Sequence, residues 1–218
     1  MRKYDLRKLP TDTARVVYLV LRPYFRLRRL TPEGKPYEGR LQGAAIIAAN
    51  HAGFADPLVM GATFYYRRMY WLAAETVMQG KLRSRLLKAA GAIKIDRQIA
   101  DIEAIRKATE VLKEGQLLGI FPEGGIQSGT DIQAVKTGCV LLAVQAGVPV
   151  IPMHIVPKKH WYQRRTVVIG DPIDPKAYFT KKFPSTADLD RVAQTVMEEM
   201  NRCAASIREE QLCKHSSD

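Results

Sequence analysis

The chain has 218 residues, of which 46% are apolar and 26% charged, a composition that suits one folded domain and excludes wholesale disorder. Its formal net charge of +12 predicts an anionic partner: a membrane surface, nucleic acid or a phosphorylated substrate. Three cysteines, Cys139, Cys203 and Cys213, form neither a paired framework nor a metal-ligand spacing. A disulfide scaffold is therefore excluded, no metal site is predicted, and a reducing cytosol is favoured.

The first 40 residues hold eleven Lys and Arg against four Asp and Glu, so this segment carries +7 of the net charge. Within it, the stretch "TARVVYLVLRPYFRLRRL" mixes apolar residues with arginines, and Arg22 and Pro23 interrupt an apolar run too short to span a bilayer. No signal-peptide cleavage site follows. We therefore predict that residues 1–40 form a basic amphipathic segment that associates with an anionic membrane surface. The alternative is that residues 13–25 form a core-packing helix with a solvated basic side.

The rest of the chain alternates between two kinds of pattern. Short apolar runs predict buried strands at residues 44–50, 69–74, 92–96, 116–122, 148–156 and 166–170. Apolar residues at helical spacing predict helices at residues 98–114 and 186–212. This alternation predicts an α/β domain over residues 41–213, with a mostly parallel central sheet flanked by helices, and a frayed tail at residues 214–218. Cys139 lies in an apolar run and is expected to be a buried thiol.

The stretch "NHAGFADP" stands at the carboxyl end of the first of these strands, where open α/β sheets usually bind ligands. Asp56 and Pro57 together are typical of a helix start, with Asp56 as N-cap, and a turn histidine is the corresponding alternative for His51. However, one loop supplies both residues, and Gly53 allows it to fold tightly. A carboxylate on one imidazole nitrogen leaves the other free to accept a proton, so His51 and Asp56 are a candidate base and its orienting group.

Three further segments accompany this stretch: "GAIKIDR" at residues 91–97, "FPEGG" at 121–125 and "VPVIPM" at 148–153. In this order and spacing, the four segments resemble the four blocks of the glycerolipid acyltransferase family, typified by 1-acyl-sn-glycerol-3-phosphate acyltransferases. The resemblance covers residues 44–156. It implies an enzyme with no cofactor, which uses acyl-CoA or acyl carrier protein as co-substrate and a lysolipid as acceptor. Together with the basic amphipathic segment and the cysteine usage, an enzyme of this kind is expected to lie peripherally on the cytoplasmic face of the cell membrane.

The resemblance also implies roles for individual residues. His51 would take the proton from the acceptor hydroxyl as it attacks an acyl thioester, and Asp56 would fix the tautomer of His51. Arg97 would bind the acceptor phosphate, and Glu123 and Gly124 would shape the acceptor site. An internal ion pair is the alternative role for Arg97, and a turn carboxylate is the alternative for Glu123.

The third block departs from the family pattern. The family commonly continues F-P-E-G-T-R-S, whereas Gly125 and Ile126 stand here in place of the Thr and Arg. Because that Arg is thought to help hold the acceptor phosphate, lysophosphatidate is in doubt as the acceptor. We expect that the acceptor is still lysophosphatidate and that Lys136 shares its phosphate with Arg97. The alternative is a different acceptor lipid, with a phosphodiester, sugar or amino-acid headgroup.

Two other classes of protein are consistent with parts of the sequence. A nucleic-acid-binding protein would explain the positive charge, but no binding motif is found and aromatic residues do not interleave with the basic clusters. A hydrolase could use the same His–Asp pair, but no G-x-S-x-G nucleophile turn is present. We therefore expect acyl transfer, with no nucleic-acid partner.

Overall fold

The computed structural model describes residues 9–96, 101–122, 137–158, 164–179 and 184–215 of the chain. A sheet of seven strands lies between two layers of helices. The strands are β1 (Arg28–Leu30), β2 (Ala45–Ala49), β3 (Met69–Ala74), β4 (Ala92–Ile95), β5 (Leu117–Ile120), β6 (Val150–Ile155) and β7 (Thr166–Ile169). The helices are α1 (Leu9–Phe25), α2 (Asp56–Thr63), α3 (Lys81–Ala89), α4 (Ile102–Lys113), α5 (Thr137–Ala146) and α6 (Thr186–His215).

The strands follow the order β1-β7-β6-β2-β5-β3-β4, and every neighbouring pair is parallel except β6 and β7. Strand β2 lies between β6 and β5, so the segment that follows it emerges near the middle of the sheet. The carboxyl ends of β2 to β6 therefore share one edge, which we call the carboxyl edge. Because β7 is antiparallel to β6, and β1 is parallel to β7, these two strands begin at that edge.

Both faces of the sheet are covered by apolar side chains, which explains why all residues of β2, β5 and β6 are buried. Helices α4, α5 and α6 pack on one face, and α1, α2 and α3 pack on the other. Buried residues on the first face include Ile46, Leu112, Leu118, Val140, Val196 and Met200. Those on the second include Tyr18, Ile47, Val59, Phe64, Trp71 and Met153. The mostly parallel α/β fold predicted from the sequence is confirmed.

Helix α1 packs firmly against the second face. Tyr18 is 2% exposed and meets Trp71 edge-on at 6.0 Å, and a Cβ added at Gly61 of α2 would lie 2.8 Å from the Tyr18 ring. Asp12 holds the helix to the start of β3 by accepting two hydrogen bonds from Arg68, at 2.6 and 2.7 Å. The core-packing alternative for this segment is therefore confirmed for its inner side, although its outer side exposes Val16, Val20 and Tyr24.

The six predicted strands are all present with nearly the predicted bounds, and helices α4 and α6 lie where their periodicity placed them. Strand β1 was not predicted. It lies within the first 40 residues and joins the sheet, while the domain boundary proposed at residue 41 stays a prediction. Along the described ranges, no helix has the length and apolar character required to cross a membrane.

One buried histidine, His154 on β6, makes the fold sensitive to acid. It is 5% exposed, and its Nδ1 atom has no hydrogen-bond partner in the described part of the chain. Burial, and secondarily the charge of Arg208, lower the pKa of His154 from 6.5 to about 4. The folded state therefore binds a proton on His154 less readily than the unfolded state does. The contribution of neutral His154 to the free energy of unfolding is present above about pH 6.5 and is lost as the pH falls towards about 4.

We predict that His154→Leu weakens this acid sensitivity. One pKa unit corresponds to about 1.4 kcal/mol, so His154 accounts for on the order of 2–3 kcal/mol of the loss in unfolding free energy between those pH values. Urea unfolding of the wild type and the variant across this pH range measures the loss in unfolding free energy. If the wild type and the variant lose stability in parallel, burial of neutral His154 is not the cause.

Candidate active site

His51 and Asp56 are in direct contact beyond the end of β2. The Nδ1 atom of His51 lies 3.0 Å from Oδ2 of Asp56, in a loop that runs from the last buried residue of β2 to the first residue of α2. Asp56 is fully buried, whereas the side chain of His51 is 17% exposed. The sequence therefore correctly predicted that one tight loop brings the two residues together.

The carboxylate of Asp56 organises this loop. Its Oδ2 atom accepts hydrogen bonds from the backbone N–H groups of Ala52 and Gly53, both at 2.7 Å, in addition to its contact with His51. The helix does begin at Asp56, with Pro57 in its first turn, but no side chain caps it. The N-cap interpretation of Asp56 is therefore wrong, because the side chain turns back to the loop instead of reaching forward into α2.

This arrangement assigns the hydrogen on the imidazole ring. An ionised carboxylate can only accept hydrogen bonds, so the Nδ1 atom of His51 carries the hydrogen that Asp56 receives. The Nε2 atom is then left with a lone pair on the partly exposed side of the ring. A neutral imidazole held in this tautomer can remove a proton from a hydroxyl group, and the neighbouring carboxylate stabilises the imidazolium that forms.

Asn50 fixes the position of the loop relative to the sheet. Its side-chain amide donates to the carbonyl of Ile155 at 3.0 Å and accepts from the N–H of Ile155 at 2.7 Å. This bridge joins the ends of β2 and β6 across 105 residues of sequence and places His51 immediately after a fixed point. The sequence analysis did not assign a role to Asn50, although a polar amide at the end of a fully apolar strand was a usable signal.

Phe121, which follows β5, connects His51 with an apolar cavity. Its ring stacks on the imidazole of His51, with centroids 4.3 Å apart and planes inclined by 21°. Phe121 also lines a cavity of about 230 Å³ between the sheet and helices α4 and α5. The other lining residues are mainly apolar and include Leu72, Ile95, Ile120, Leu141 and Leu142. The apolar cavity therefore reaches the residue that contacts His51.

Cys139 also lines this cavity, but it is not a nucleophile. Burial raises the pKa of its thiol to about 12, so the thiol stays protonated at neutral pH. The prediction that Cys139 is a buried thiol is confirmed.

The other predicted site residues, Arg97, Glu123, Gly124 and Lys136, lie outside the described residues, as do Gly125 and Ile126. Their neighbours in sequence are described: Asp96 directly follows β4, Pro122 follows β5 by two residues, and Thr137 begins α5. The acceptor-binding roles of the four residues stay predictions.

Residues 27–156 match the family model described as Acyltransferase. The chain is similar to 1-acyl-sn-glycerol-3-phosphate acyltransferase of Bacillus subtilis, with 29% identity over 107 residues, which are 49% of this chain and 53% of the relative. It is also similar to lyso-ornithine lipid O-acyltransferase of Pseudomonas aeruginosa, with 30% identity over 126 residues, 55% of this chain and 48% of the relative. The chain thus spans about half the length of these curated relatives.

Among solved structures, the fold is similar to that of PlsC, the 1-acyl-sn-glycerophosphate acyltransferase of Thermotoga maritima. The TM-score is 0.63 at 21% sequence identity, and the match covers 95% of this chain and 84% of that chain. At this identity the likeness supports the fold alone.

We predict that Asn50→Ala lowers both stability and turnover. It leaves the N–H and carbonyl groups of Ile155 without their side-chain partner, and an unsatisfied buried group costs about 1–3 kcal/mol. Chemical unfolding and acyl-transfer rates measure the two effects, with Gln194→Ala, an exposed amide on α6, as the control. Unchanged stability in Asn50→Ala would contradict the role given to the bridge.

Proposed function

Because this chain belongs to the acyltransferase family, we propose that it transfers a fatty acyl group from a thioester donor to the free hydroxyl of a lysolipid. The observation that carries this proposal is the His51–Asp56 pair, which stands beside an apolar cavity and shares Phe121 with it. The pair supplies a base for a hydroxyl group, and the cavity suits a hydrocarbon chain.

In the proposed reaction, the acceptor hydroxyl gives its proton to Nε2 of His51 while its oxygen attacks the thioester carbonyl carbon. The C–O bond forms, the C–S bond breaks, and the proton on the imidazolium passes to the departing thiolate. Asp56 holds the ring and stabilises the imidazolium between these two transfers. The acyl group passes directly to the acceptor, in keeping with the protonated thiol of Cys139. Acyl-CoA and acyl carrier protein are the proposed donors.

The proposed acceptor is 1-acyl-sn-glycerol-3-phosphate, with Arg97 and Lys136 sharing its phosphate and with Glu123 and Gly124 shaping the site. The similarity to a 1-acyl-sn-glycerol-3-phosphate acyltransferase supports this acceptor. A second candidate, a lysolipid with an amino-acid headgroup, is supported by the similarity to a lyso-ornithine lipid O-acyltransferase and by Ile126, which stands where the family usually has an Arg.

We further propose that the enzyme binds peripherally to the cytoplasmic face of an anionic membrane. The support comes from α1, whose exposed Val16, Val20 and Tyr24 recur every four residues and so lie on one side of the helix. Deleting residues 1–30 is a poor test of this proposal, because it would also remove buried Tyr18 and Phe25. Substitutions on the outer surface are required instead.

We predict that His51→Ala lowers acyl transfer by about two to four orders of magnitude and leaves the fold intact, since it removes a general base. Asp56→Ala should lose activity as well and should also unfold more easily, because the N–H groups of Ala52 and Gly53 lose their acceptor at about 1–3 kcal/mol per unsatisfied group. Asp190→Asn, an exposed position on α6, is the control. Folded His51→Ala with near-wild-type turnover would refute the mechanism.

We predict that Gly138→Leu shifts the enzyme towards shorter acyl donors. Gly138 is an exposed residue that lines the cavity, and a Cβ there meets no described atom within 4 Å. A larger side chain can therefore be accommodated at this position and would narrow the cavity at its rim. Turnover of a series of acyl-CoA chain lengths measures the effect. Lys113→Leu, an exposed position on α4 that does not line the cavity, should keep the wild-type profile. The same profile in both variants would mean that the acyl chain binds elsewhere.

For the acceptor, we predict that Arg97→Ala and Lys136→Ala each raise KM for lysophosphatidate far more than the control Lys113→Ala does. A phosphate monoester carries close to two negative charges, and each cation removed leaves it less neutralised. Mass spectrometry of products from mixed lysolipids complements these kinetics. Turnover of lyso-ornithine lipid with lysophosphatidate ignored would establish the second candidate acceptor instead.

A further inference from the structure

A second cationic site lies at the carboxyl edge, on the opposite side of β2 from β4. It is an open cleft of about 530 Å³ lined by Arg22, Pro23, Arg26, Leu27, Arg28 and Arg164, which we call the arginine cleft. Helix α1, the two-residue turn after it and β1 supply all of these residues except Arg164, which comes from the segment before β7. Two backbone hydrogen bonds hold the segments together: Arg165 donates to Phe25 at 3.0 Å, and Arg28 donates to Arg165 at 2.9 Å.

The cleft concentrates like charges. Four arginine residues line it, and no Asp or Glu is found among its described lining residues. The pKa of Lys158, close by, is lowered by burial and secondarily by the positive charge of Arg165. The Nε atom of Arg165 is buried without a hydrogen-bond partner in the described ranges. The partial negative charge at the C-terminal end of α1 explains a cation in the last turn of that helix. It does not explain why Arg164, from a distant segment, lies there as well. A bound anion would offset this repulsion.

The backbone at Arg26 is a separate sign that an arginine side chain is useful there. Its φ angle is +47°, in the left-handed region that glycine and asparagine adopt most readily. The turn is closed by a hydrogen bond from the N–H of Arg26 to the carbonyl of Pro23. Arg26 thus stands at a position where the backbone favours glycine, and it is one of the residues that line the cleft.

The surroundings indicate which anion fits. Planar guanidinium groups match phosphate oxygens in pairs. The cleft also adjoins the exposed apolar side of α1, because Pro23 lines the cleft and lies one helical turn from Val20, which is 67% exposed. Tyr24, which is 68% exposed, lies one turn beyond Val20 on the same side of the helix. We propose that the arginine cleft binds the headgroup phosphate of an anionic phospholipid, whose acyl chains lie beside Val20 and Tyr24. The proposal extends the proposed membrane association and requires no part of the acyl-transfer reaction.

The alternative ligand for the arginine cleft is an acyl donor, which also carries phosphate groups. Strands β7 and β1 are two and three strands from β2, roughly 10–14 Å at ordinary strand spacing, so a donor bound at His51 could extend towards the cleft. A water-soluble donor does not account for the exposed apolar side of α1 next to the arginines. The phospholipid is therefore the better fit, and the test separates the two sources.

The experiment measures partitioning of the full chain onto vesicles of phosphatidylcholine and phosphatidylglycerol, without substrate. The double variant Arg28→Gln/Arg164→Gln is compared with Lys113→Gln/Arg191→Gln, which removes the same charge from exposed positions on the other face of the sheet. Each basic residue near an anionic surface contributes about fivefold, so the cleft variant should bind more than tenfold more weakly and the control about as well as wild type. Equal weakening in both variants would overturn the proposal, because net charge would then suffice.

Arg164→Lys gives a second test that keeps the charge and removes the planar fork. It should weaken vesicle binding measurably if a phosphate group is held in the cleft, whereas wild-type binding would contradict the proposal. Thermal unfolding shows whether each variant folds. Calorimetry with CoA measures whether the cleft binds the phosphates of an acyl donor. Loss of CoA binding in the cleft variant with vesicle binding unchanged would assign the cleft to the donor and overturn the phospholipid proposal. Vesicle binding needs no turnover, so its result stands whether or not the proposed acyl transfer is correct.

Discussion

The structure of the site depends on one buried carboxylate. Oδ2 of Asp56 receives hydrogen bonds from Ala52, Gly53 and His51, and these bonds close the loop between β2 and α2. A buried carboxylate is stable only when several donors satisfy it, so the loop and the charge support each other. The same oxygen sets the tautomer of His51. The shape of the loop and the chemistry of the imidazole therefore have a common cause.

The sheet provides the rigid frame for this loop. Strand β2 lies between two other buried strands, and each contributes one contact to the site: β6 through the amide bridge of Asn50, and β5 through Phe121. The imidazole is thus held on one side by a carboxylate and on its face by an aromatic ring.

The sequence predicted the central strands and the site loop well, because their signals are local. Runs such as residues 44–49 are apolar throughout, as is typical of strands covered on both faces, and His51 and Asp56 are five residues apart. Strand β1 gives no such signal, since "RRL" is short and basic, and its partner strand β7 lies far along the chain. The start of α2 was predicted one residue late, at Pro57. The direction of the Asp56 side chain was not predicted by the N-cap interpretation, because N-capping and loop closure use the same residue type.

The contacts that complete the site join segments far apart in sequence and therefore could not be predicted from local patterns. Asn50 meets Ile155, and Phe121 meets both His51 and the cavity between α4 and α5. The arginine cleft likewise requires Arg164 to lie against the end of α1. The sequence shows several arginines near residues 22–28, but only the fold shows that Arg164 lies beside them.

In this structure Asp56 holds His51 as a base with its hydrogen on Nδ1, and the chemistry of the site depends on that tautomer. Nitrogen-15 NMR of the imidazole in the folded protein identifies the tautomer, because the two neutral forms give different nitrogen shifts. We expect the Nδ1–H tautomer in the wild type and its loss as the dominant form in Asp56→Ala. A wild-type protein with the hydrogen of His51 on Nε2 would contradict this assignment, because Nε2 would then have no lone pair to accept the proton of the acceptor hydroxyl.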